Sequence, residues 1–167
     1  MRKFLLVGLL GAVCTLFSTY AVADELDKWH LEGRHLFEQV VNIPTVEGRG
    51  KMGELVTLLK SRFEAVGLTD ITVKSHNDTQ SIILRWSSTA KNKPKPILLL
   101  AHMDVVEALP ADWSFDPFVF QEIDGYYYGR GSIDNKAGLL AITMTMLRLK
   151  KEGFVPKRDI IVLFTGD

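Results

Sequence analysis

The run ILLLAHMD, residues 97–104, decides the architecture: five consecutive apolar residues lead into a histidine and, two places on, a carboxylate. Five such residues, preceded by a polar turn over 87–96, read as a strand. His102 and Asp104 then stand at its carboxyl end, the edge where open α/β sheets place their sites. Alternation along a strand puts residues i and i+2 on the same side, so Asp104 can hold one imidazole nitrogen of His102 while the other ligates a metal. Taken alone, the triplet serves equally as a strand-end histidine with a helper aspartate in a turn.

Outward from that run, Ile160 to Phe164 is a second wholly apolar segment, the kind found in the middle of a sheet covered on both faces. Shorter strands are predicted at Ile71 to Val73 and Ser81 to Trp86, with polar turns between. Apolar positions at helical spacing predict one helix from Leu26 to Val41, ended near Pro44, and another from Met52 to Val66, ended at Gly67. Asp124 and Gly125 mark a hairpin turn within 119–128. Helix returns at Asn135 and is apolar on almost every side through Leu149, with Gly153 and Pro156 ending it. The order α, α, β, β, β, β, α, β predicts a mixed α/β sandwich.

Composition narrows the function classes. Twenty Lys and Arg balance twenty Asp and Glu, and 47% of the 167 residues are hydrophobic, which excludes a disordered chain and leaves no basic face to follow a phosphate backbone. Nucleic acid is therefore not an expected partner. Residues 1–23 read as a cleaved export signal: Arg2 and Lys3, an apolar stretch from Phe4 to Phe17, then Ala21-Val22-Ala23 before the acidic start of the remainder. The stretch is too short to span a bilayer comfortably, so no membrane association is expected once it is removed, and the product is periplasmic or secreted. Cys14 lies inside the signal, and Gly11, Ala12 and Val13 before it do not form a lipid-anchoring box. The exported part, 24–167, would have no disulfide and must be held by its core or by a metal.

A second cluster, Gly129-Arg-Gly-Ser-Ile-Asp-Asn-Lys136, ends where the apolar helix begins. Its spacing fits neither phosphate-binding glycine pattern, and Arg130 occupies the place where a serine-hydrolase elbow needs glycine. Asp134 is open to two readings, an N-cap for the helix or a ligand. His30 and His35 read as part of a solvated helix face, His76 as a turn residue, and Trp113, Phe115 and Phe118 as packing for the long loop, ahead of the alternative that they wall the site entrance.

The stretches HMDVV (102–106), WSFDPF (113–118), DGYYYGRGSIDNKAG (124–138) and FTGD (164–167), with the loop 41–46, together resemble the dizinc metallopeptidase family of aminoacylase, Gly-X carboxypeptidase, carnosine-type dipeptidase, acetylornithine deacetylase and succinyl-diaminopimelate desuccinylase. The resemblance implies a three-layer mixed-sheet sandwich of the zinc-exopeptidase type. It implies that His102 is a metal ligand, that Asp134 is the carboxylate bridging two zinc ions and is followed by a cis peptide, and that Asp104 is the catalytic-site carboxylate orienting His102. It also implies that 24–167 is the amino-terminal portion of a longer, truncated catalytic domain, with Asp167 at the leading acidic position and the general base and further ligands after it. The expected reaction is hydrolysis of an amide in a small peptide or N-acyl amino acid, with cobalt or manganese as alternative metals and a homodimer as the complete enzyme's assembly. On that reading the 167 residues alone are inactive. The competing class is a noncatalytic fragment or interaction module that keeps the α/β fold.

Overall fold

The computed structural model describes residues 28–166; the export signal predicted at 1–23 and Asp167 lie outside them. The packing below is that of the compact unit beginning at Leu36. Helix α1 covers 28–41. Helix α2 (Met52–Ala65) buries Met52, Leu55, Val56, Leu59 and Phe63 on one stripe, the face set by the i, i+3, i+4, i+7 spacing. Strands β1 (Ile71–His76) and β2 (Thr79–Trp86) follow, then β3 (Ile97–His102), the short hairpin β4 (Gln121–Ile123) and β5 (Tyr126–Tyr128), helix α3 (Lys136–Lys151) and β6 (Ile160–Thr165).

The main sheet has the order β1-β2-β6-β3. The β1–β2 and β2–β6 pairs are antiparallel and β6–β3 is parallel, which makes the sheet mixed, as expected. β6 is interior, as its apolar run requires. Parallel pairing needs a long crossover, and here the connection from β3 to β6 carries the irregular loop, the β4–β5 hairpin and α3. One result is that the carboxyl ends of β3 and β6 lie side by side, with His102 opposite Thr165.

Both α2 and α3 pack on the sheet and on each other, so they form one helical layer. Under it lie Ile82, Leu84, Ala101, Val162 and Phe164, all essentially inaccessible, and Phe63 stacks on Phe164. On the opposite face Leu98 and Leu100 remain 57% and 58% exposed. The described residues thus supply two of the three expected layers.

Three local expectations are corrected. The turn predicted over Ser75 to Thr79 contracts to Asn77-Asp78, with Asn77 left-handed at φ 52°, because backbone pairing from Ser75–Gln80 to His76–Thr79 extends the ladder through polar residues. Helix α3 begins at Lys136 rather than Asn135, and the N-cap position is Asn135, without a side-chain cap bond; Asp134 is therefore not the cap. Trp113, Phe115 and Phe118 are only partly buried and wall a cavity of about 640 Å³ with Leu109 and Arg49, since a loop without regular pairing offers no second layer to enclose them.

Candidate metal centre

β3 delivers His102 at its last position, and alternation buries Ala101, Met103 and Val105 while His102 and Asp104 face the open side. The loop after the strand is held from two directions. Met103 donates its amide to Thr165 O at 2.6 Å, and Val105 donates to Thr45 O at 3.1 Å. Thr45, itself buried, donates its hydroxyl to Met103 O at 2.6 Å. The backbone between His102 and Asp104 is thereby pinned by the loop that follows α1.

The second loop, 129–135, comes from the other end of the crossover. Gly131 has φ 83° and approaches the first loop so closely that a Cβ would collide with Val105 Cγ1. Only glycine accepts that conformation and that contact together. The peptide between Asp134 and Asn135 is cis.

The two loops bring His102 and Asp134 together across 32 positions, with Nε2 2.8 Å from Asp134 Oδ1. On the other side of the ring, Nδ1 lies 3.2 Å from the Asp104 carbonyl and 3.3 Å from its Oδ1. The expected carboxylate contact is thus shared with the main chain. Asp104 Oδ1 is buried and has no hydrogen-bond partner among the described residues.

Burial pulls the His102 pKa down, but the Asp134 hydrogen bond and the charge and carbonyl of Asp104 outweigh it, and the imidazole titrates above its ordinary value. A neutral imidazole has one N–H, whereas here both ring nitrogens face oxygens. The arrangement therefore calls for a cation at Nε2, a second proton or a metal. A nitrogen and a carboxylate oxygen suit zinc. At 2.8 Å the two atoms stand at hydrogen-bond distance, about 0.5 Å nearer than two ligands of a tetrahedral ion with bonds of about 2.0–2.1 Å. The residues present fit one side of a metal site, while no group of three or more His, Cys, Asp or Glu able to hold an ion occurs among the described residues.

Sequence reasoning missed Lys136. A lysine in the first turn of a helix opposes the macrodipole and normally reaches for solvent, yet this one is wholly buried. Its Nζ donates to Val40 O at 2.9 Å and Ile43 O at 2.6 Å. It adds a donor to two carbonyls at and just after the end of α1 that already accept from the Ile43 and Thr45 amides, and burial lowers its pKa to about 8. The signal available was that misplaced charge, two residues after Asp134.

Comparison with known proteins follows the same outline. Residues 98–167 match the family described as Peptidase family M20/M25/M40. Aminoacylase-1 of Sus scrofa is 36% identical over 141 residues, which is 81% of this chain and 34% of that protein. A probable succinyl-diaminopimelate desuccinylase of Staphylococcus aureus is 44% identical over 115 residues, 68% of this chain and 28% of the relative. The crystal structure of human carnosine dipeptidase 1 superposes with a TM-score of 0.71 at 21% identity, over 87% of this chain and 34% of that one, a likeness of fold. The chain spans about a third of the length of the curated relatives it matches first.

Proposed function

We propose, for a chain that matches the amino-terminal part of peptidase family M20/M25/M40 in sequence and in fold, that it contributes part of the metal centre of a hydrolase cleaving the amide of a dipeptide, a short peptide or an N-acyl amino acid. The observation that carries the reading is the meeting of His102 and Asp134 at 2.8 Å beside the carboxyl ends of two parallel strands. Two zinc ions are the metals we assign; bound there, zinc lowers the pKa of a water and polarises the scissile carbonyl. His102 would hold metal through Nε2 and Asp134 through its carboxylate, as the bridge.

The chain's own residues do the rest of what this half requires. Asp104 sets the tautomer of His102 and raises its basicity. Thr45 and Thr165 hold the backbone of the His102 loop, Gly131 lets the Asp134 loop approach it, and Lys136 ties that loop to α1. The relatives named for aminoacylase and desuccinylase activity support an acyl amino acid, and the export signal read at 1–23 supports hydrolysis in the periplasm or outside the cell.

The test is hydrolysis of N-acetyl amino acids and dipeptides by the longer polypeptide of which 24–167 is read as the amino-terminal portion, stripped of metal with a chelator and then resupplied with zinc. Activity lost on stripping and restored by zinc is expected. Turnover that survives stripping, or zinc-loaded protein that cleaves neither substrate class, would overturn the reading.

A further inference from the structure

We propose that the end of the fold opposite the candidate metal centre is a docking surface for anionic lipid membranes. The inference stands apart from the hydrolase reading. Whole-chain neutrality, twenty Lys and Arg against twenty Asp and Glu, conceals an uneven distribution. The segments 91–96 and 148–159 hold eight Lys and Arg against only Glu152 and Asp159. The fold brings both segments to the amino ends of β3 and β6, where the Ile97 amide donates to Asp159 O at 2.9 Å and Lys93 Nζ lies 2.9 Å from Asp159 Oδ1. His102 and Thr165 stand at the other ends of the same two strands, about 17 Å away.

Ordinary packing accounts for some of these charges. Arg148, Lys150 and Lys151 complement the carboxyl end of α3, Arg148 also pairs with Glu152 at 2.6 Å, and Lys93 shares Asp159 with Arg85. Four cations have no such role: Lys91, Lys95, Lys157 and Arg158 are exposed and, among the described residues, form no ion pair with a carboxylate. Beside them the fold leaves two apolar side chains outside, Phe154 at 45% and Val155 at 65% exposure. The turn that carries them is fixed. Gly153, at φ 76°, closes α3, the Phe154 amide donates to Leu149 O at 2.9 Å, its ring meets Trp86 edge-on at 5.9 Å, and Pro156 is buried. A preformed apolar tip flanked by Lys and Arg matches a membrane interface, where cations meet lipid phosphates and the tip enters the boundary between headgroups and acyl chains. A soluble polyanion would engage the cations alone. A chain exported by the signal predicted at 1–23 is released beside such a surface, and docking by this end turns His102 and Asp134 away from the bilayer.

The test is sedimentation of the longer polypeptide, without residues 1–23, with vesicles of phosphatidylcholine alone or mixed equally with phosphatidylglycerol. Binding to inorganic polyphosphate is measured alongside, and thermal unfolding is followed in every variant. Binding to the mixed vesicles only, weakened by salt, is expected of wild type. The double variant Lys157→Gln with Arg158→Gln should bind them about 10- to 30-fold more weakly, at about fivefold per cation. Lys91→Gln with Lys95→Gln, on the other loop, should lose a similar amount, and it decides the matter should the first pair fail to fold. Val155→Ser leaves the charge unchanged and should lose about three- to tenfold on vesicles, with polyphosphate binding unaltered. Wild type that binds neither vesicle, or both equally, overturns the proposal, as do charge variants that fold and bind like wild type. Full vesicle binding by Val155→Ser overturns it as well, and replaces the membrane with a soluble polyanion.

Discussion

His102 stands between two aspartates of opposite character. Asp104 follows it on the same strand end, is 23% exposed, and turns both its carbonyl and its carboxylate toward Nδ1. Asp134 arrives from another loop, is 87% exposed, and meets the ring only through one oxygen at Nε2. A carboxylate largely withdrawn from water beside the ring suits the holding of an imidazole. One that projects into solvent with lone pairs to spare suits the holding of a metal. The two proposed roles rest on that difference in exposure more than on residue type.

Reversing or erasing that difference gives the tests. Asp134→Ala should have the largest effect: zinc-dependent turnover lost, and zinc affinity reduced by more than any change at Asp104, read by metal titration of the stripped protein. Asp104→Ala should leave the ligand atoms in place and reduce metal affinity or activity by about 10- to 100-fold. Equal losses in the two variants would erase the distinction.

The pH dependence sharpens it. Because the folded metal-free state raises the His102 pKa, protonation stabilises that state fully below the unfolded value of about 6.5 and loses its effect as pH rises through the folded value. Zinc needs the deprotonated nitrogen. Its affinity should therefore fall by up to about tenfold per pH unit below the folded pKa, and Asp134→Asn should lower that pKa, as followed by NMR of the ring protons. The smallest effect is expected at Thr45→Val, which removes the bond to Met103 O: about 1–3 kcal/mol of stability with the metal ligands untouched, measured by denaturant unfolding.

Much of this was legible in ordinary sequence patterns. An apolar strand ending in His-x-Asp predicts that the ring and that carboxylate share one side at the carboxyl edge of the sheet, and the family resemblance of the separated motifs predicts which second aspartate comes to meet the ring. Lys136 was not legible, because a lysine at the start of a helix reads as a solvated charge until the end of α1 is brought against it. The open face bearing Leu98 and Leu100 was not legible either, since an apolar strand signals that it needs cover without specifying which residues provide it. The aromatic loop failed for the opposite reason: Trp113 and Phe115 contact one another, and no periodicity distinguishes a cavity wall from a core.

The buried ammonium of Lys136 has a consequence for motion. Its two acceptors lie 96 and 93 residues earlier in the chain, while its own amide bonds Gly131 O at 3.0 Å. Fraying of the last turn of α1 would release the ammonium to water and loosen the turn that presents Asp134, so the two segments should open as one cooperative unit. Amide hydrogens at Lys136 and in the last turn of α1 should then exchange with solvent at matched rates, although nearly a hundred residues separate them.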